Sequence, residues 1–139
     1  MSPLDIQLVN RKIKLIEEDL SRLSEFKNIT FSKYAADEMT QLSVERLLER
    51  IIGRLIDINY HVLKEKHNVL PKDYFESFVK MAEVDEVEEQ LTKALAQSVG
   101  LRNILAHEYD AVDPAKIHAA IPLALIQIPQ YLIQISEKL

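Results

Sequence analysis

Two glycines in 139 residues, Gly53 and Gly100, leave the chain almost nowhere to turn tightly. Hairpins and sandwiches need a left-handed or otherwise special residue every few positions, and this sequence does not supply them. Leu, Ile, Ala, Glu and Lys dominate instead, and hydrophobic residues make up 47%. Such a composition favours long helices. The length suits one domain, 1–139, with enough chain to bury a core.

Apolar spacing agrees. Ile6, Val9, Ile13, Ile16, Leu20 and Leu23 recur at steps of three and four, the period of one helix face. Ser2 as cap, Pro3 at the first helical position and Asp5 against the dipole predict where that helix starts. A second helix begins between Ser32 and Thr40 and runs to about Glu65, striped by Leu47, Ile51, Leu55, Ile58 and Val62 and widened by Leu48 and Ile52. Lys66 to Leu70 reads as a linker, and Pro71 opens a short helix bearing Phe75, Phe78 and Val79. A fourth helix is expected from about Asp85 to Tyr109, with Val87, Leu91, Leu95, Ser98, Leu101 and Leu105 inward. Gly100 inside it costs on the order of 1 kcal/mol against Ala, so either another backbone packs there or the helix bends before the next segment. Asp113-Pro114 caps a last helix that Pro122 and Pro129 should kink. The expectation is an all-α antiparallel bundle of about five helices with a kinked C-terminal helix.

Several function classes are disfavoured. Cysteine is absent, so disulfides and thiolate metal sites are excluded, which suits a cytoplasmic protein. No basic stretch followed by an apolar run marks a signal peptide at the N-terminus. The most apolar stretch, Ala119 to Ile128, is interrupted by Pro122 and Gln127, so no membrane association is expected. Net charge is −5, which argues against holding nucleic acid by bulk electrostatics and requires any phosphate chemistry to use a local cluster of cations.

One run concentrates chemistry: Arg102-Asn103-Ile104-Leu105-Ala106-His107-Glu108-Tyr109. At about 100° per residue, Arg102 and Tyr109 fall nearly in line, and Asn103 stacks under His107. Asp110 and Pro114 put His107 in the last turn, where the helix dipole favours a cation. RNA cleavage through the 2′-hydroxyl needs a proton-transfer group and a cation for the pentavalent phosphorane. His107 can serve the first need and the Arg102 fork the second. Spacing alone is also met by a structural set, with Arg102 in an interhelix ion pair, His107 as a cap and Tyr109 at a core edge.

The segment from Gly100 to Asp110 resembles the signature of HEPN domains of the HepT type, in which Arg is followed after four residues by His and then, one residue on, by Tyr. Asn103 after the arginine fits too. The likeness extends over most of the chain, through Ile56-Asp57-Ile58-Asn59-Tyr60-His61 and the Pro-initiated aromatic helix. It implies the toxin of a type VII-like toxin–antitoxin pair: a homodimer, with two motif helices across a cleft, cleaving RNA without metal or other cofactor. Arg102 and His107 would be catalytic and Asn103 a positioning donor. The resemblance also implies a cognate minimal nucleotidyltransferase antitoxin, encoded beside it, that moves AMP from ATP onto Tyr109. Bulk and negative charge there would block a phosphate seat beside Arg102.

Arg46, Arg50, Arg54, Asp57 and His61 form a polar stripe on the second helix. The arginines are candidates for RNA contacts and Asp57 for orienting Arg102 or His107; a solvated face with intrahelical pairs would look the same. Metal ligation is not expected. No His-Glu-x-x-His pattern is present, Glu45 and Glu49 read as two solvated acids sharing a face, and His67 and His118 read as incidental. The alternative function is a non-catalytic helical dimer that docks a nucleotidyltransferase or binds a nucleotide.

Overall fold

A computed structural model describes residues 4–139. Seven α-helices and one 3₁₀ turn account for the regular structure among the described residues: α1 (Ile6–Ser24), α2 (Phe31–Ala36), α3 (Glu38–His67), α4 (Tyr74–Glu83), α5 (Glu89–Ala96), α6 (Ser98–His107), the 3₁₀ turn Tyr109–Ala111, and α7 (Pro114–Glu137). The all-α bundle expected from the sequence is present, with more and shorter pieces than five.

The expected Ser2-Pro3 start lies outside the described residues. Asp5 is the N-cap of α1, accepting from the Leu8 N–H at 3.0 Å. Val9, Ile13, Ile16, Leu20 and Leu23 are buried as their spacing predicts, whereas Ile6 is exposed. The second expected helix is two. Thr30 caps the six-residue α2, and the extended Asp37 then caps α3 by accepting from Met39 and Thr40 N–H. Gln41 ties them together, donating to the Tyr34 and Ala35 carbonyls at 2.9 and 3.0 Å. α3 passes through the first part of the expected linker and stops at Asn68, whose φ of 53° places it in the left-handed region that asparagine tolerates.

The expected fourth helix is also broken. Asp85 adopts φ 60°, and Glu86 is buried against Lys66 and His67 at 2.7 and 2.8 Å, so α5 starts only at Glu89. His67 is thus a structural partner instead of an incidental linker residue. A second break falls at Gln97, where the Ser98 hydroxyl donates to the Leu95 carbonyl at 2.5 Å. Short hydroxyl side chains compete in this way with the helical ladder. Among the described residues nothing outside its own helix lies within 4 Å of where a Gly100 β-carbon would stand, so no other element packs closely there.

α3 is the axis of the bundle, touched by α1, α2, α4, α6 and α7. Its whole predicted stripe is buried, including Leu48 and Ile52. α7 runs unbroken through Pro122 and Pro129 and contributes Ile117, Ile121, Ala124, Ile128, Tyr131, Leu132 and Ile135 to the core. It is long and apolar enough, by length and composition, to cross a bilayer, although one face belongs to this core. Its other face carries exposed Leu123, Ile126 and Ile133.

One polar network crosses the core. The Tyr131 hydroxyl donates to Asn59 Oδ1 at 2.5 Å, Asn59 Nδ2 donates to Ser77 Oγ at 3.2 Å, and the Ser77 hydroxyl donates to the Tyr74 carbonyl at 2.7 Å. This links α7 through α3 to the start of α4. Asn59→Ala strands a fully buried phenol, so unfolding in urea should show a loss of about 1–3 kcal/mol with the helical circular dichroism of the folded state unchanged.

Candidate active site on the sixth helix

α6 ends at His107, and Tyr109 sits in the separate 3₁₀ turn beyond Glu108. The expected in-line placement of Arg102 and Tyr109 therefore fails, because it assumed a helix continuous to Tyr109. The two side chains go to different neighbours. Arg102 lies over the Tyr74 ring, its guanidinium carbon 5.3 Å from the centroid, and Tyr74 packs edge-on against Tyr60 of α3 with centroids 6.0 Å apart. The Tyr109 hydroxyl donates to Glu45 Oε1 of α3 at 2.6 Å.

Arg102 stays close to the next motif residue, with Nη1 3.4 Å from Asn103 Oδ1. Among the described residues no carboxylate comes within ion-pair reach of it, and its buried Nε has no partner. Aromatic contact holds a guanidinium without neutralising it. Asn103 and His107 are both exposed on the same helix, and His107 occupies its last turn as expected. The site thus offers a cation, an amide and an imidazole to whatever approaches this helix end.

The helix-three candidates are placed elsewhere. Asp19 of α1 is fully buried and bonds Arg22 at 2.9 Å, Arg50 at 3.1 Å and Arg54 at 2.8 Å. Arg50 and Arg54 therefore pin α3 to α1, where the sequence made them candidates for RNA contacts. Arg46 is more exposed and only 3.4 Å from Glu49. Asp57 pairs with Lys12 of α1 at 3.1 Å, so it bonds neither Arg102 nor His107. His61 of the same stripe accepts the Asp5 N–H at 3.0 Å.

Tyr74 escaped the sequence reading, and Glu45 was misplaced by it. Glu45, expected to be solvated, is 7% exposed. Its hydrogen bond is the main reason that the Tyr109 phenol is held above its usual pKa, followed by desolvation and the Glu45 charge. The Tyr34 hydroxyl, buried without a partner among the described residues, is also pushed up, first by burial and then by the charge of Glu45. His118, expected to be incidental, bonds the Ile29 carbonyl at 2.7 Å and packs against Phe31 and Tyr34.

Comparison with known proteins decides the family, since the Ribonuclease HepT-like family matches residues 16–135. The chain is a HepT-like ribonuclease family member. It is 36% identical over all of its 139 residues to the tRNA nuclease HepT of Aphanizomenon flos-aquae, covering 95% of that protein. It is 30% identical over 108 residues, 78% of this chain and 75% of the relative, to the mRNA nuclease HepT of Shewanella oneidensis. Its fold matches the tri-AMPylated HEPN toxin of Shewanella oneidensis, solved in complex with an MNT antitoxin, with a TM-score of 0.84 and 25% identity over 94% of this chain and 97% of that one. The HEPN resemblance read from the sequence is thus the chain's family.

Proposed function

We propose that this HepT-like chain is the toxin of a toxin–antitoxin pair, a metal-independent endoribonuclease acting in the cytoplasm. The observation that carries this reading is the state of Arg102. Among the described residues it has no carboxylate within ion-pair reach, on a helix that also exposes Asn103 and His107, whereas Arg50 and Arg54 are taken up by Asp19. A guanidinium with no acid beside it can clamp a scissile phosphate and stabilise charge on the phosphorane. His107 transfers the proton between the 2′-hydroxyl and the leaving 5′-oxygen, Asn103 positions the phosphate, and Tyr109 flanks the RNA. Cleavage should persist in excess EDTA and leave 2′,3′-cyclic or 3′-phosphate ends on tRNA or mRNA substrates. His107→Ala should lower the rate at least about 100-fold while the chain stays folded. Loss of activity in EDTA with recovery on adding magnesium would overturn the mechanism.

The active form is a homodimer with both motif helices on one cleft. Two features support this. The outward face of α7 is apolar at Leu123, Ile126 and Ile133, and no Asp, Glu, Lys or Arg occurs from Ile117 to Ser136. Gly100, exposed on the motif helix with no other described element within 4 Å of its β-carbon position, leaves room for a second helix to approach closely. Gly100→Ala should stabilise the single chain by up to about 1 kcal/mol. Gly100→Leu should shift light scattering from twice the 16.0 kDa chain mass toward one copy. A wild-type chain that scatters as one copy at micromolar concentration overturns the dimer.

Control comes from a minimal nucleotidyltransferase antitoxin that transfers AMP to Tyr109. Support comes from the tri-AMPylated toxin of the fold match and from the ring of Tyr109, which is 51% exposed beyond the end of α6. Incubation with the partner and ATP should add one or more AMP units by intact-protein mass spectrometry and abolish cleavage. Tyr109→Phe should keep its mass; equal modification of both proteins would place the acceptor elsewhere.

A further inference from the structure

A phenol is a poor nucleophile until it loses its proton, and near neutral pH only about one tyrosine in a thousand has done so in water. Tyr109 is less inclined still, because its hydrogen bond to Glu45 and the nearby charge hold the phenol above its usual range. Attack by pre-formed phenolate is therefore disfavoured, and the proton has to leave as the new bond forms. The geometry already supplies an acceptor. Glu45 Oε1 lies 2.6 Å from the Tyr109 oxygen, from a residue buried in α3 and fixed there by the helix, while about half of Tyr109 itself is open to solvent. His107, two residues earlier, makes no hydrogen bond to that oxygen among those formed by the described residues.

Resting on the reading that Tyr109 accepts AMP, we propose that Glu45 of this chain is the general base of that transfer, so that the toxin supplies part of the chemistry of its own inactivation. The Tyr109 oxygen attacks the α-phosphorus of ATP and forms the new O–P bond. The bond from that phosphorus to the oxygen bridging it to the β-phosphate breaks, and pyrophosphate leaves. The phenolic proton passes along the existing hydrogen bond to the Glu45 carboxylate. No oxidant or further reactant is needed, and the nucleotidyltransferase holds the triphosphate.

The test follows AMP addition to Tyr109 by intact mass and peptide mapping, with the partner enzyme, ATP and magnesium, across a range of chain concentrations. Wild type, Glu45→Gln and Glu45→Asp are compared, each rate normalised to the folded fraction measured by circular dichroism in the same sample. Glu45→Gln keeps an oxygen to accept the hydroxyl but cannot take the proton. Its kcat should fall about 100-fold or more, with KM for the chain within about twofold of wild type. Glu45→Asp retains a carboxylate and should keep more of the rate than Glu45→Gln. A Gln variant at wild-type kcat, a change in KM alone, or equal rates for the Gln and Asp variants overturns the proposal, leaving Glu45 as a tether. If wild type itself is never modified at Tyr109, the reading of control and this inference fall together, whereas the other failures sink only the inference.

Discussion

Everything in this bundle is arranged around one thirty-residue helix that other helices touch along its length. A helix enclosed in this way must pair any polar side chain that it carries inward, since an unpaired buried amide or carboxylate costs several times what its hydrogen bond contributes. α3 carries two such groups near opposite ends, and each recruits a tyrosine. Asn59 takes the hydroxyl of Tyr131 from α7, and Glu45 takes that of Tyr109 from the turn after α6. Through Ser77, the Asn59 network also fixes the backbone of Tyr74, the residue on which Arg102 rests. The need to satisfy the interior of α3 thus sets the positions of both ends of the motif.

Arginines on this chain divide by their partners. A buried acid such as Asp19, compensated by Arg22, Arg50 and Arg54, joins two helices and leaves those cations little freedom to meet a ligand. Arg102 is held by a ring face, which orients it without cancelling its charge. In a protein of net charge −5, this difference in local compensation matters more than the total.

Much of this was legible from the residues alone. The seams of α1 and α3 follow from period, because a residue facing the core repeats wherever the helix comes round. The motif was legible because Arg102, Asn103, His107 and Tyr109 lie close in sequence, and family membership followed from them. Helix interruptions were legible only in part. The break at Gln97, whose own backbone stays helical, falls just before Gly100, where the sequence offered a bend, whereas the left-handed Asp85 gives no sign of itself in hydropathy. Partners distant in sequence were equally hidden. Glu45 and Tyr109 are 64 residues apart, and an acid at one side of a stripe reads as solvated until another element covers it. The same holds for Arg50 and Arg54, whose exposed-looking stripe meets an aspartate on α1.

The bond between Tyr109 and Glu45 has a direction, since the phenol gives the hydrogen and the carboxylate can only receive one. Any group esterified to the phenolic oxygen removes that hydrogen permanently. Glu45, buried in α3, then faces an ester oxygen that has no hydrogen to give it, and the turn at Tyr109–Ala111 loses its hydrogen bond to α3. An adduct at that oxygen would therefore act on the fold as well as on the surface. It would delete one structural contact, leaving the short segment after the motif helix held by its packing on α6 and by Val112 against the core.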